Sequence, residues 1–213
     1  APFHQIKAHH FIPALESTIS IALKEIDEIT QQIETPTFKN TLETLQEIGT
    51  LVGRNSNLLF NLNSAETNKE LQKVAQDAAP LLTRFQNDII LNETLFKRIS
   101  YLHKNEAKDS LTPEQFTLLE KEYKTFVRNG AHLNDDAKKK LRILDTELAQ
   151  LSLCFGENVL ADTQAYSLHI KNESDLKGLP DNVIETAQDI AQEKGKKGWL
   201  FTLDYPSYIP FIT

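Results

Sequence analysis

Apolar residues near the start of the chain recur at alternating steps of four and three, which places them on one face of a helix. From Pro13 onward they are Leu15, Ile19, Ala22, Ile26, Ile29 and Ile33. The pair Thr35-Pro36 ends the pattern, because proline cannot continue a helix and restricts the residue before it. The spacing predicts one long amphipathic helix between Pro13 and Thr35.

A second helical pattern begins at about Phe38 and runs past Gly49 and Gly53 toward Phe60. A third helix is predicted to begin within the segment NSAETNKEL, where Ser64 or Thr67 is the cap. Glu70 stands at capping-box spacing from Thr67. The apolar positions of these two helices are Leu42, Leu45, Ile48, Leu71, Val74, Ala78, Leu81, Leu82 and Phe85.

Three further helix starts carry capping residues. Asn92 is placed to cap a short helix, and Thr112-Pro113-Glu114-Gln115 combines a threonine cap, proline at the first helical position and a glutamine that can reach back. Gly130 is placed to stop that helix in a left-handed conformation. Asn134 opens a last long helix with apolar residues at Leu141, Leu144, Leu148, Leu151 and Phe155.

The pattern changes after Ala161. The segment YSLHI alternates with period two, KGLPDN is typical of a turn and helix start, and GWLFTL is a second short strand candidate. We therefore predict a mainly α fold, a bundle of long amphipathic helices with a small two-stranded β element near the C-terminus. The predicted domains are residues 1–161, helical, and residues 162–213, a strand, a helix from about Asp181 to Lys194 and a strand.

Composition excludes several classes of protein. The 213 residues are 40% hydrophobic and 25% charged, which is typical of a globular protein. A net charge of −7 argues against nucleic acid as a partner, and no apolar run is long enough to cross a membrane. The basic run 138–142 is interpreted as a solvated helix face. The chain contains no methionine, which predicts processing or excision from a longer protein.

The one cysteine, Cys154, lies between Leu153 and Phe155 and is interpreted as a small core residue. A single cysteine allows no internal disulfide, which suits a reducing compartment. We therefore favour the cytoplasm, with the periplasm as the alternative.

No zinc peptidase motif H-E-x-x-H is present, and neither are a glycine-rich phosphate loop or a G-x-S-x-G elbow. His9 and His10 are adjacent, so on a helix they would point about 100° apart and could not share one ion. They are interpreted as a surface or interface pair. We assign no catalytic, cofactor-binding or metal-binding residue.

Two other histidines have carboxylates close in the sequence. His103 stands near Glu106, and His132 stands near Asp135 and Asp136. Both groups are interpreted as solvated turn and cap residues. His169 falls on the exposed face of the predicted strand.

The same segments, taken together, resemble the N-terminal half of the thimet oligopeptidase family of zinc metallopeptidases. The matching blocks include APFHQIKAHHFIPALE, PTFKNTLETLQEIG, FNLNSAETNKELQ, LTPEQFTLLEKEYKTFVRNGAHL, LAQLSLCFGENVLADT and GWLFTLDYPSYIPF. The bacterial peptidyl-dipeptidase branch is the most similar, with oligopeptidase A next. At the position of His10 that family commonly has histidine, and at the position of His9 it usually has glutamate.

The resemblance implies an α-helical lobe that narrows the substrate channel of a peptidase for short peptides. It places the zinc, held by H-E-x-x-H and a further glutamate, in a catalytic domain outside this chain. The implied partners are that C-terminal domain and short peptide substrates, and the segment alone is expected to be inactive. The channel-lining residues stay unassigned. Arg128, Asn129 and His132 are polar groups that could face the channel, but the favoured interpretation of their segment is a helix C-cap and loop. The alternative function is a stand-alone helical interaction module.

Overall fold

The structure is a computed structural model that describes residues 2–65, 67–105 and 110–213. It is mainly helical, with a two-stranded antiparallel sheet near the C-terminus, and this confirms the predicted fold class. The chain divides into two compact units, residues 1–151 and residues 152–213. We describe each unit by itself.

The first long helix, α1, spans Phe11–Thr30 and buries Leu15, Ile26 and Ile29. The predicted extension to Ile33 is wrong, because the helix ends at Thr30 and the Ile33 side chain is fully exposed. The backbone that follows is held in a non-helical course by hydrogen bonds from a buried arginine on a later helix, which are described below.

The predicted helix from Phe38 to Phe60 is two separate segments. A π-helical stretch, Phe38–Glu43, continues into a short helix α2, Thr44–Glu47, and helix α3 then spans Thr50–Ala65. The break lies at Gly49, whose φ of 78° is a left-handed conformation that a helix cannot contain and that glycine adopts cheaply. Gly53 lies inside α3 without interrupting it.

Helix α4 spans Lys69–Ile90 and is capped by Asn68, not by Ser64 or Thr67. The Asn68 side chain accepts a hydrogen bond from the Leu71 amide at 2.9 Å. The hydroxyl of Thr67 is engaged elsewhere, since it donates to Asn63 Oδ1 at 3.2 Å. The helix also accommodates Pro80 in its interior.

Helices α5 (Glu93–Asn105), α6 (Pro113–Arg128) and α7 (Asp135–Ala165) begin where their caps predict. The amides of Leu95 and Ala137 donate to the side chains of Asn92 and Asn134, both at 2.9 Å. Thr112 and Gln115 form the predicted capping box. Gly130 has a φ of 87°, which confirms its role in ending α6.

Two apolar clusters form the core of the first unit. Helix α1 packs against α3 and α4, and helix α5 packs against α6. One cluster joins Phe11, Leu15, Ala22, Val52, Leu59, Ala78 and Phe85, and the other includes Ile26, Leu42, Leu95, Ile99, Leu119 and Phe126. No helix in the described part of the chain is long and apolar enough to cross a membrane.

Helix α7 differs from the others because none of its residues is buried. Its periodic leucines are exposed, Leu144 by 60%, Leu148 by 64% and Leu151 by 60%. We call these three side chains the α7 stripe. The periodicity predicted the helix correctly, but it does not correspond to burial within this chain.

The second unit contains the sheet and two helices. Strands β1 (Leu168–Ile170) and β2 (Trp199–Phe201) pair antiparallel, with Leu168 opposite Phe201, as the alternating patterns predict. Helix α8 spans Asp181–Glu193, and helix α9 spans Tyr205–Ile212. The core of this unit consists of Leu176, Val183, Ala187 and Phe201.

Candidate functional site

His9 and His10 lie at the surface, on a single 3-10 turn that leads into α1. The His10 ring accepts a hydrogen bond at Nδ1 from the Lys7 amide at 3.2 Å, and this contact orients the start of α1. The two rings make an edge contact with centroids 4.2 Å apart. The pair therefore belongs to the turn that directly precedes α1.

Glu106, the carboxylate that the sequence places near His103, lies outside the described residues. The Nε2 atom of His103 lies 2.7 Å from Glu120 Oε1 on α6, and the His103 ring stacks on Tyr123 with centroids 3.9 Å apart. Glu120 also accepts from Lys124, and this hydrogen bond, followed by the one to His103, holds the pKa of the Glu120 carboxyl below its usual value. Glu120 could not be paired with His103 from the sequence, because the two residues belong to different helices. The cluster ties α5 to α6.

His132, Asp135 and Asp136 are all exposed, in the loop and first turn of α7. Within residues 2–65, 67–105 and 110–213, no group of three or more His, Cys, Asp or Glu side chains could hold a metal ion. His169 is half-buried on β1, and its Nε2 lies 2.7 Å from the Lys197 carbonyl oxygen.

Two interpretations from the sequence are wrong. Cys154 is exposed, and it lies on α7, a helix with no buried residue. The basic run is not uniformly solvated: Lys138 Nζ donates to the Leu91 carbonyl at 3.1 Å, and Arg142 pairs with Asp88 at 2.6 Å. These two contacts fix the first part of α7 to the end of α4.

A groove of about 660 Å³ lies between α3 and α4, and we call it the α3–α4 groove. Val52 and Gly53 line one side, Phe85 and Asn87 line the other, and Asp145 of α7 lies at the edge. Asn87 is only 7% exposed. The groove therefore combines an apolar wall, a nearly buried amide and a carboxylate.

Asn129 also lines the α3–α4 groove. It ends α6, and its side-chain amide donates to the Thr125 carbonyl at 2.8 Å. Arg128 and His132, its companions in the sequence prediction, do not line this groove. Of the three polar candidates near Gly130, the structure brings only Asn129 to it.

A second groove, of about 670 Å³, lies along α5 beside the loop that precedes α7. Lys97, Lys104, Tyr101 and His132 line it. Lys97 pairs with Glu93 at 2.5 Å, and this hydrogen bond keeps the pKa of the Glu93 carboxyl below its usual value. Lys97 is therefore already engaged within α5.

Sequence reasoning missed Asn87 and Asp145. Both occupy ordinary polar positions of amphipathic helices, and nothing in the spacing along either helix says that they reach one groove. The ion pair of Arg142 with Asp88 and the 3.3 Å hydrogen bond from Arg142 to the Asn87 carbonyl hold α7 against α4 there, together with the contact of Lys138 described above. Such long-range pairing leaves no local pattern.

Comparison with known proteins identifies relatives over nearly the whole chain. No family model matches it. The dipeptidyl carboxypeptidase of Escherichia coli (strain K12) is 33% identical over 202 residues, which is 94% of this chain and 30% of the relative. The oligopeptidase A of Haemophilus influenzae is 29% identical over 212 residues, 100% of this chain and 31% of the relative. A probable cytosolic oligopeptidase A of Arabidopsis thaliana is 25% identical over 218 residues, covering 99% of this chain and 31% of the relative.

These matches concern the N-terminal region of the relatives, and the chain spans about 30% of their length. They confirm the family resemblance that the sequence blocks indicate. Over most of its length the chain is homologous to dipeptidyl carboxypeptidase and oligopeptidase A, which are members of the thimet oligopeptidase family.

Proposed function

We propose that this chain is the substrate-channel part of a zinc-dependent peptidase that hydrolyses short oligopeptides. The observation that supports this function is the extent of the similarity: relatives named as peptidases match 94% to 100% of the chain. A shared fold alone would be weaker support, because one fold can host many functions.

The residues of this chain that the structure describes do not fit a zinc site, since they contain no group of three suitable ligands. We therefore propose that the zinc and the groups that activate water belong to a catalytic region outside these 213 residues. On this proposal the chain alone does not hydrolyse peptides. Its contribution is to orient the substrate and exclude water, which lowers the barrier without bond-making by its own side chains.

We propose that the catalytic region packs against the α7 stripe. Three leucines exposed by 60% or more on one helix face form an apolar patch, and such a patch is typical of an interaction site. The same patch would also serve the alternative function, a helical module that binds another protein. The two functions differ in whether peptide hydrolysis depends on the stripe.

Release of C-terminal dipeptides is the specific reaction we propose, because one of the relatives is a dipeptidyl carboxypeptidase. Cleavage inside the peptide, as the name oligopeptidase suggests for the other relatives, is the competing outcome. Mass spectrometry of the products of a hexapeptide distinguishes them.

We propose the cytoplasm as the compartment, where an exposed thiol such as that of Cys154 stays reduced. Fractionation of cells that make the protein tests this location.

The decisive experiment expresses the gene through its downstream region and assays a quenched fluorescent peptide with and without a zinc chelator. We expect chelator-sensitive hydrolysis by the longer protein and none by residues 1–213 alone. Replacing Leu148 by Asp should reduce hydrolysis, whereas Glu147→Gln, an exposed change on the same helix, should not. A longer protein without peptidase activity, or an active 213-residue chain, would refute the proposed division of roles.

A further inference from the structure

Asn87 is the most unusual polar residue of the α3–α4 groove. It is only 7% exposed, and its side-chain amide makes no hydrogen bond within the described part of the chain. Its backbone carbonyl, in contrast, accepts from the Leu91 amide at 3.0 Å and from Arg142 at 3.3 Å. Its amide nitrogen and oxygen keep some access to solvent, so a ligand in the groove can replace the water that reaches them. The unpaired amide lines an open groove, so a ligand can reach it.

Asp145 gives the same groove a negative charge. Its side chain is half-buried on α7, and no described residue forms an ion pair or a hydrogen bond with the carboxylate. The nearest basic residue on that helix face, Arg142, is already committed to Asp88 at 2.6 Å. The carboxylate is therefore available to a cationic group of a ligand.

The wall between these polar groups is apolar and has room. Val52 and Phe85 line it, and a Cβ atom added at Gly53 would meet nothing within 4 Å. A volume of about 660 Å³ lies in the range of small-ligand pockets. An apolar side chain of a ligand could lie against Phe85 in this space.

We propose that the α3–α4 groove binds the amino-terminal end of a short peptide that begins with an apolar residue. Asp145 accepts hydrogen bonds from the terminal ammonium group, the Asn87 amide pairs with the first peptide group, and the apolar side chain lies against Phe85. This proposal rests on the proposed function, which supplies short peptides as the substrate class. It adds a site that holds one end of the substrate away from the catalytic centre.

Other small ligands fit the groove less well. An anion would be repelled by Asp145, and a divalent cation would find one carboxylate where six to eight oxygen ligands are usual for calcium. An amide side chain can both donate and accept, which matches a peptide group in a way that a carboxylate or an ammonium group does not. A peptide with a free amino terminus carries a suitable chemical group for each of the two polar side chains.

Calorimetric titration of the 213-residue chain with two peptides tests the site. The first is Phe-Ala-Ala-Ala-amide with a free amino terminus, and the second is its N-acetylated form. Because a hydrogen bond to a charged group contributes about 1.5–3 kcal/mol, we expect acetylation to weaken binding by roughly tenfold or more. Equal affinities for the two peptides, or no binding of either, would overturn the proposal.

Two variants locate the effect. Asp145→Asn should weaken binding of the free peptide by about tenfold and leave the acetylated peptide unaffected. Glu147→Gln removes a neighbouring exposed carboxylate that does not line the groove, and it should change neither affinity. If Asp145→Asn and Glu147→Gln behave alike, the carboxylate at the groove edge is not the binding group. The comparison of the two peptides on the unaltered chain needs no variant to fold.

A third variant addresses the space itself. Gly53→Leu introduces a side chain into the groove at a helical position with no close neighbours, so it should preserve the circular dichroism spectrum and abolish binding of the free peptide. Binding that survives this change would place the peptide elsewhere.

The hydrolysis assay of the longer protein separates the two proposals. If the longer protein hydrolyses peptides but the 213-residue chain binds the free and acetylated peptides equally, only the amino-terminal site is overturned. Discrimination between the two peptides without hydrolysis by the longer protein overturns the proposed function and leaves the site as a peptide-binding groove.

Discussion

Replacing Arg98 by Ala should be among the most damaging changes in the first unit. Its guanidinium group is nearly buried on α5, and it holds the chain segment that follows α1. It donates to the carbonyls of Gln32 and Glu34 at 3.2 and 3.3 Å, to Asn40 Oδ1 at 3.1 Å and to Thr41 Oγ1 at 3.3 Å. Burial lowers the pKa of Arg98 from its usual value, but an arginine stays charged at any working pH.

The size of the effect follows from these contacts. A hydrogen bond to a charged group contributes about 1.5–3 kcal/mol net, but all the bonds of one side chain share a single desolvation cost and do not add. The distances of 3.1 to 3.3 Å lie at the long end of the usual range, and the carbonyls of Gln32 and Glu34 can turn to water once the arginine is gone. We therefore expect Arg98→Ala to lower the free energy of unfolding by roughly 3 kcal/mol.

Urea denaturation followed by far-UV circular dichroism measures this loss. Helices α1 to α6 of the first unit supply most of the helical signal, with a smaller share from α8 and α9, whereas Trp199, the one tryptophan, lies in the second unit. With a slope of about 2 kcal/mol per molar urea, the midpoint should fall by about 1.5 M. Arg98→Lys keeps the charge but loses the planar fork of donors, so its midpoint should lie between those of Ala and Arg.

Arg54→Ala is the matched control, since Arg54 is an exposed arginine on α3 and its loss should change stability by less than about 0.5 kcal/mol. If Arg98→Ala shifts the midpoint no more than Arg54→Ala does, the buried network does not hold the segment after α1. A lysine variant as stable as the parent would show that charge alone, without the fork, is sufficient.

Three shorter predictions concern other parts of the chain. Gly49→Ala should lower the free energy of unfolding because φ is 78° there, whereas Gly53→Ala, inside α3 and free of close neighbours, should raise that free energy by up to about 1 kcal/mol, as urea midpoints will show. The hydrogen bond from Lys124 lowers the pKa of Glu120 in the folded chain, so Glu120→Gln should destabilise the chain at pH values above the unfolded pKa. The difference in stability between parent and variant should vanish as pH falls through the folded pKa. Urea midpoints at pH 7 and pH 3 measure this difference. Cys154 should react with a thiol reagent as fast in native buffer as in urea, and a large acceleration in urea would show that it is protected.

The parts of the fold that sequence predicts well are those decided within one helical turn. The caps Asn92, Thr112 and Asn134 each make a hydrogen bond three residues along the chain, so their residue types carry the information. The two strands are also local, because period-two alternation is visible in five residues. The similarity to known peptidases is also recognised from short continuous segments of the sequence.

Conformations that depend on distant residues leave no such trace. Gly49 and Gly53 are the same residue type four positions apart, yet only Gly49 takes a left-handed conformation. Helix α1 ends at Thr30, well before the proline, and Arg98 fixes the connection from 66 positions away. Neither Asn87 nor Asp145 could be assigned to a groove from sequence, since the groove exists only once α3, α4 and α7 have packed.

The α7 stripe shows a different limit of sequence reasoning. Periodicity reports that a helix has an apolar face, but not what covers that face, and in this chain Leu144, Leu148 and Leu151 contribute nothing to a core. Polar contacts of Lys138 and Arg142, near the start of α7, hold the helix in place instead. These contacts leave the apolar face of α7 available to another surface. An apolar face exposed in this way is costly in water unless a partner covers it. If the catalytic region is that partner, its folding and the stability of α7 are coupled, and α7 should exchange its amide hydrogens more slowly in the longer protein than in the 213-residue chain.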